Sequence, residues 1–599
     1  MKIPRHVFFA TALFVALALP GTAGASSSFP QGAQSDTAYA ASYLANHVRT
    51  VDATAQRLSC YRPEVPYFTS NGPVDGYTGM TSCPGATTGE DVGTTPYATQ
   101  AGSNPGYPAA TPMEVKDHSE SDIRVDPTNP RHLIGSSKWF VSAEGYNHLL
   151  GFYESFDGGS TWPVQGHVPG YEGWTDNTDP VGAFDGYGNY YEFVLPYQFF
   201  YDAGGSHDYK TNTNQEPNAA QAAEVVSVSV RPHGATAAGQ WITTRGGKPD
   251  IVAAYDSRGN EPDKQWIAID SNPASPHYNR VYLMWVDFHS PTPVPYISYA
   301  DAHADGSHTD WSSPARLPTG NMQPGGNTYL LPHVAPDGTL YTTLTAAPVS
   351  NGHATDTIGV DVSTDGGASF TGPAIVASAI TPPGATYANT TFRDGIENTF
   401  TVGPVTVNGH YPLYTSWEDY SSGVTNILVS TSTDGGQTWS APIQVNDNAS
   451  PADEFQPNLN AAADGTVSVA FYDRRLACPA SGSSEATAAG LSLDTVNPNY
   501  TGALPPYGAA NYCVNSSIQF YSPALAPKGH NIRISPHSWD PQLNSPHSSS
   551  AGRPTTFIGD YFGNSTVGST SVTTSVSTFD DGTNPHHYQQ QIIAFTPVP

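Results

Sequence analysis

Four arginines, two tyrosines and three carboxylates are the residues of this 599-residue chain best suited to act together chemically. Arg393, Arg474, Arg475 and Arg553 can hold an acidic group through bidentate pairs, and Glu397, Glu454 and Asp473 can give or take a proton at a scissile oxygen. Tyr420 follows Glu418-Asp419 directly, and Tyr561 follows Asp560. Guanidinium forks, acids and tyrosines gathered on one funnel are what cleavage of a glycosidic bond needs. Other chemistries find little support: there is no His-Glu-x-x-His pair, no Gly-rich phosphate loop ahead of a helix and no Gly-x-Ser-x-Gly elbow. No cofactor is indicated, although Asn446-Asp447-Asn448 with Asp453 is an oxygen-rich stretch of the kind Ca²⁺ uses.

Such residues need elements that bring them to one place, and the chain supplies a repeat. From Val115 onward a unit of four short strands recurs: a strand with an acidic start, a turn, a second strand with aromatic and acidic residues at its end, a third strand, a turn and a fourth. Strand-one starts bring Glu120, Asp179, Asp263, Glu397, Asp453, Glu454 and Asp560. Strand-two ends bring Asp287, Glu418, Asp419, Tyr420, Tyr472, Asp473, Arg474 and Arg475. Alternating strand direction puts both sets on one face and the turns between strands three and four on the other. Each candidate also has a structural reading. Asp473-Arg474-Arg475 would serve as an interblade salt-bridge cluster, Asp560-Tyr561 as a closure turn, and repeated carboxylates as partners of neighbouring amides. Residues that occur once, such as Arg393, Arg553 and Tyr561, are better candidates than repeated ones.

The turns between strands three and four carry the clearest motif, Ser155-Phe-Asp-Gly-Gly-Ser-Thr-Trp162, which returns as Ser363 to Phe370 and as Ser432 to Trp439. Asp-Gly-Gly between β-rich runs is hairpin chemistry: glycine supplies positive φ and the Asp carboxylate bonds the amides of its own turn. The pattern resembles the Asp-box, or BNR repeat, of the sialidase-like β-propellers. That resemblance implies a mostly β chain, a propeller of six to seven four-stranded blades with seven favoured, and structural turns remote from the active site. It also implies a secreted glycoside hydrolase of exo-sialidase type, with Tyr561 or Tyr420 as nucleophile, Glu397 or Glu454 as its base, an Asp such as Asp473 as acid/base, and arginines on the substrate carboxylate. A tyrosine replaces the usual carboxylate nucleophile there because a sialic acid already carries a negative charge at the reacting centre. The family's Arg-Ile-Pro string ahead of the first blade is absent, and Tyr61-Arg62-Pro63 is the nearest match. The alternatives are a propeller that only binds carbohydrate or protein, an arabinanase-like hydrolase and a polysaccharide lyase.

The organisation expected is a signal peptide at 1–25, an N-terminal extension with one helix and a disulfide loop at 26–114, and the propeller at 115–599. Lys2 and Arg5, the apolar run from Val7 to Leu19 and Ala23-Gly24-Ala25 have the order of a secretory leader. An extracellular or periplasmic location follows, with a glycan or glycoprotein as partner, no membrane insertion and a monomeric state. A formal charge of −29 argues against nucleic acid, because the field would repel phosphates. It also suits a soluble acidic surface or an acidic medium. In an oxidising compartment the four cysteines are expected to pair locally, Cys60 with Cys83 and Cys478 with Cys513. Helical spacing from Tyr39 to Leu58 predicts one helix over Ser35–Leu58, and residues about 108–118 are the expected donor of the strand that closes the ring.

Overall fold

A computed structural model describes residues 32–54, short strands between 59 and 114, and most of 118–599; the longer exceptions are 141–147, 170–175, 202–206, 209–222, 243–248, 256–261, 289–292, 323–326, 395–397, 544–546 and 549–554. The signal-peptide region, Glu397, Arg553 and Cys83 lie outside the described residues, as does the Cys60 side chain, so the expected Cys60–Cys83 pair does too.

The fold is a seven-bladed β-propeller. Blade 1 consists of His118–Val125, Leu133–Phe140, His148–Ser155 and Val164–His167, and blade 2 of Asp176–Phe184, Tyr190–Gln198, Ala223–Arg231 and Asp250–Tyr255. Blade 3 runs from Pro262–Ile269 to Ala315–Arg316, and blade 4 from Asn327–Thr328 to Thr371–Ile380. Blade 5 runs from Asn398–Val402 to Ile443–Gln444, and blade 6 from Glu454–Ala461 to Ile532–Arg533. Every pairing within a blade is antiparallel, and each innermost strand packs on the next around the ring. Side chains from adjacent sheets fill the gaps between blades. Between blades 6 and 7, Phe455, Tyr472, Trp539 and Phe562 are fully buried, each contributing about 2–3 kcal/mol of apolar burial.

Blade 7 differs in its connectivity. Its three inner strands are Gly563–Val567, Thr570–Ser577 and Gln590–Pro597, and its outer strand is Arg49–Asp52, with Arg49 opposite Phe595 and Asp52 opposite Ile592. The closing strand therefore comes from residues 49–52, not from 108–118. The helix is correspondingly shorter than its apolar spacing predicts: it spans Asp36–Ala45, with Ser35 capping the amide of Ala38. His47 takes φ 54° and the chain then turns into the closing strand, because four ladder residues on an otherwise bare sheet edge outweigh one more helical turn. Tyr39 anchors the helix to blade 6, its hydroxyl on Ser517 Oγ and its ring 4.2 Å from the Arg475 guanidinium.

The three Asp-boxes form the turns between strands three and four of blades 1, 4 and 5. In each, the Asp carboxylate accepts from the motif's first Ser and from the backbone amide and hydroxyl of the Thr or Ser four residues on, as Asp157 does from Ser155 (2.9 Å) and from Thr161 (2.9 and 2.8 Å). The second glycine amide donates to that same Ser, 2.8 Å at Gly159. The Thr161 amide and hydroxyl hold the Asp157 carboxyl down at about 2, and the Ser369 hydroxyl and amide do the same for Asp365.

Candidate functional site

The opposite face is built by a backbone irregularity that repeats around the ring. Near the start of the innermost strand in six of the seven blades one residue takes left-handed backbone, and in blades 1, 2, 3, 4 and 6 the ladder slips or breaks there. The innermost strand of blade 5, Asn398–Val402, pairs in unbroken register. The left-handed residues are Glu120 (φ 53°), Asp179 (φ 55°), Lys264 (φ 54°), Tyr329 (φ 53°), Gln456 (φ 48°) and, in blade 7, Gly559 (φ 103°). A bulge of this kind re-aims a side chain relative to the pleat. Left-handed backbone costs a non-glycine residue about 1 kcal/mol, so five of them store about 5 kcal/mol, comparable with the whole net stability of a small domain.

These side chains meet across the channel mouth. Lys138 from strand two of blade 1 lies 3.2 Å from Glu120 and 3.5 Å from Asp179. Lys264 of blade 3 reaches Asp560 of blade 7 at 3.1 Å. Arg393, on the connection into blade 5, donates from Nη2 to both oxygens of Asp560 at 2.8 and 2.7 Å, and its guanidinium lies 4.7 Å from the centre of the Phe557 ring. The Tyr561 hydroxyl donates to the Pro180 carbonyl at 2.9 Å, and its ring meets Trp266 edge-on at 5.6 Å. Between them is a small cleft, with a cavity volume of about 20 Å³, lined by Asp179, Lys264, Gln265, Trp266, Tyr329, Leu331, Asp560 and Tyr561.

The electrostatics separate the acids into two kinds. Burial alone would raise Asp560, but Arg393 and then Lys264 hold its carboxyl far below the usual range. Asp179 is likewise kept ionised against burial by Lys138 and Lys264. Glu120 behaves in the opposite way: burial and then the charge of Asp179 push it up, and Lys138 offsets only part of this. Burial also lifts Asp263 to about 6, with Lys264 opposing and Asp179 adding to the rise. Two carboxyls whose environments drive them apart, one protonated in mild acid and one ionised, are the requirement for paired acid and base roles. Trp266 and Tyr329 provide flat apolar faces beside them, of the sort that pack on a sugar ring.

The residues expected from the sequence divide three ways. Tyr561 lines the pocket, and Arg393 joins it through Asp560. Arg474 and Arg475 are wholly buried within and behind blade 6, Arg474 3.2 Å from Asp453 and Arg475 paired with Asp447 (2.8 Å) and Asp473 (2.9 Å). Glu454 is buried beside Asp473 and raised by burial and by that neighbour's charge, and Tyr420 is exposed on the rim with its amide on the Thr381 carbonyl. The salt-bridge reading of Asp473-Arg474-Arg475 describes this geometry, and neither guanidinium lines the pocket. The oxygen-rich stretch at 446–448 and Asp453 directs its carboxylates to Arg475, Arg474 and His530. Cys478 and Cys513 are bonded, with Cα atoms 5.3 Å apart.

Lys138, Lys264, Trp266 and Tyr329 escaped the sequence reading. Of these only Lys264 carried a sequence signal, an offset: like Glu120 and Gln456 it stands three residues before a buried apolar residue of its strand, Ile267 in its case and Ile123 and Leu459 in theirs.

No family model matches the chain, and no curated protein matches it. Solved structures resemble it in fold. Polysaccharide lyase Uly1 is 11% identical over 92% of this chain and 99% of its own, with a TM-score of 0.45. A protein of unknown function from Dyadobacter fermentans is 10% identical over 81% and 95%, with a TM-score of 0.39. NanB sialidase from Streptococcus pneumoniae is 10% identical over 80% and 68%, with a TM-score of 0.35. Likeness at this level concerns the arrangement of blades and leaves the substrate open.

Proposed function

We propose that this chain is a secreted glycan-cleaving enzyme whose active site is the pocket at the channel mouth. The observation that carries the reading is the ring of left-handed bulges. A turn that merely closed a sheet would use glycine, as the Asp-boxes do, whereas five blades place a Glu, Asp, Lys, Tyr or Gln there and bear the strain. In this reading Asp263 is the proton donor to the leaving oxygen. Asp179, ionised and lining the pocket, is the base, and Lys264 and Arg393 bind polar or acidic groups of the substrate. Trp266 and Tyr329 hold the sugar ring. Asp560, neutralised by two cations, orients them. The buried Cys478–Cys513 disulfide fits an oxidising compartment.

The exo-sialidase version keeps Tyr561 as nucleophile, favoured by its place in the pocket; burial and then the charges of Glu120 and Asp179 drive its hydroxyl pKa up, so a base must take its proton as it attacks. It requires the tyrosine to leave the Pro180 carbonyl. One set of assays separates the two: release of reducing ends from acidic and neutral polysaccharides, and of dye from a fluorogenic sialoside, between pH 4 and 8. Wild-type release that is lost in Asp263→Asn and kept in Tyr561→Phe supports the carboxylate pair. Sialoside release lost in Tyr561→Phe supports the tyrosine. No release from any substrate by folded protein sinks both.

A further inference from the structure

Blade 6 carries an insertion between its second and third strands, residues 474–514, closed at its base by Cys478–Cys513. The connection from blade 4 to blade 5 rises on the same face and doubles back on itself, with Thr386 bridging Arg393 in antiparallel fashion. The two are tied together. Asn497 Nδ2 donates to the Asn389 carbonyl at 2.6 Å, Asn499 Nδ2 to the Thr390 carbonyl at 2.5 Å, and Asn389 Nδ2 to the Asn511 carbonyl at 3.3 Å. Arg474 Nη2 supports the Ala388 carbonyl at 3.0 Å. From the other side Gln542, on the connection into blade 7, accepts from the Thr391 amide at 2.8 Å and donates to its hydroxyl at 2.6 Å. Every bond ends within five residues of Arg393, whose own side chain is 44% exposed and held at its tip by Asp560.

We propose that the disulfide-closed insertion and Gln542 are a positioning device for Arg393, fixing an exposed guanidinium over Asp560 at the pocket's edge. The proposal rests on the mouth being the substrate site. A long, solvated arginine loses rotamer freedom when ordered, and a loop that wandered would add backbone entropy to that cost at each binding event. Asn497, Asn499 and Gln542 remove the backbone part in advance. They touch no substrate, and their effect passes through the loop.

The test is the rate at which phenylglyoxal modifies Arg393, followed by mass spectrometry in wild type, Asn499→Ala, Gln542→Ala and the Asn497→Ala/Asn499→Ala pair, with Asp560→Asn as the released control. The variants are expected to label at least 5-fold faster at Arg393, with other arginines and the Tm unchanged, and Asn499→Gln is expected to return part of the protection. On whichever substrate the wild type cleaves, KM is expected to rise about 10-fold with kcat within 2-fold. Labelling equal to wild type overturns the proposal, as does faster labelling with KM unmoved. An inactive wild type removes the proposed function, and the labelling rates alone then decide whether the insertion holds Arg393.

Discussion

The two faces of the propeller use left-handed backbone in different hands. On the Asp-box face it falls on Gly158 and Gly159, Gly366 and Gly367, and Gly435 and Gly436, where it costs nothing sterically, and the neighbouring carboxylates are saturated by their own turns. At the mouth it falls on Glu120, Asp179, Lys264, Tyr329 and Gln456, and acids there are paired across blades, Asp179 with Lys138 of blade 1 and Asp560 with Lys264 of blade 3 and with Arg393. One face is a set of independent local solutions. The other is a single cooperative arrangement that no blade can make alone, which is the condition under which strain and displaced pKa values become useful for chemistry.

The largest expected separation between the faces is in activity. Asp263→Asn and Asp179→Asn should each lower kcat/KM by 10²–10⁴-fold on the cleaved substrate, the range for loss of a general acid or base. Asp157→Asn and Asp365→Asn should stay within 2-fold. Equal losses on both faces would end the distinction.

Stability should divide the other way, with a smaller effect. Asp434→Ala strips three hydrogen bonds from its turn and Gly436→Ala forces a Cβ onto φ 88°, and each should cost about 1–2 kcal/mol in denaturant unfolding. Lys264→Gly should change stability by less than about 1 kcal/mol, because relief at φ 54° offsets the lost pairing with Asp560.

The smallest effect lies in the pH dependence, where the two faces have opposite signs. Asp263 is raised from 3.8 to about 6 by burial, so its contribution to stability is full below pH 3.8 and is lost as pH rises to 6. Asp263→Asn should therefore raise the Tm by about 2–4 °C at pH 7 and leave it unchanged at pH 3.5. Asp157 is lowered from 3.8 to about 2, so its contribution is present above pH 3.8 and lost as pH falls to 2. Thermal scans of Asp157→Asn should show a Tm deficit at pH 7 that closes near pH 2. If the two variants trace curves of the same sign, the assignment of acids to the two environments is wrong.

The propeller, its seven blades and the Asp-box turns were legible because each rests on contacts within a few residues: alternation along a strand, glycine in a tight turn, a carboxylate on its own loop amides. The closed Cys478–Cys513 loop was legible for the same reason. The search for single, unrepeated residues found Tyr561 and Arg393 but passed over Lys264 and Asp263, which look like members of a structural repeat. The repeat is structural in its backbone and varied in its side chains, and the variation holds the chemistry. Arg474 and Arg475 read as substrate ligands by type alone, yet Asp447, Asp453, Asp473 and the ring of Tyr39 satisfy them in the interior.

What the amino-acid order determined by itself was thus local: the blade, the turn, the face on which turns fall and the face to search. Tertiary structure decided which distant groups meet. Arg49–Asp52 closes the ring, because an open sheet edge elsewhere in the chain was the strongest competitor for those residues. Lys264 and Arg393 converge on Asp560 across the channel, and Asp263 is lifted to about 6 while Asp179 is lowered, because pKa values depend on burial and on charges brought from other blades, and neither is encoded in any window of the sequence.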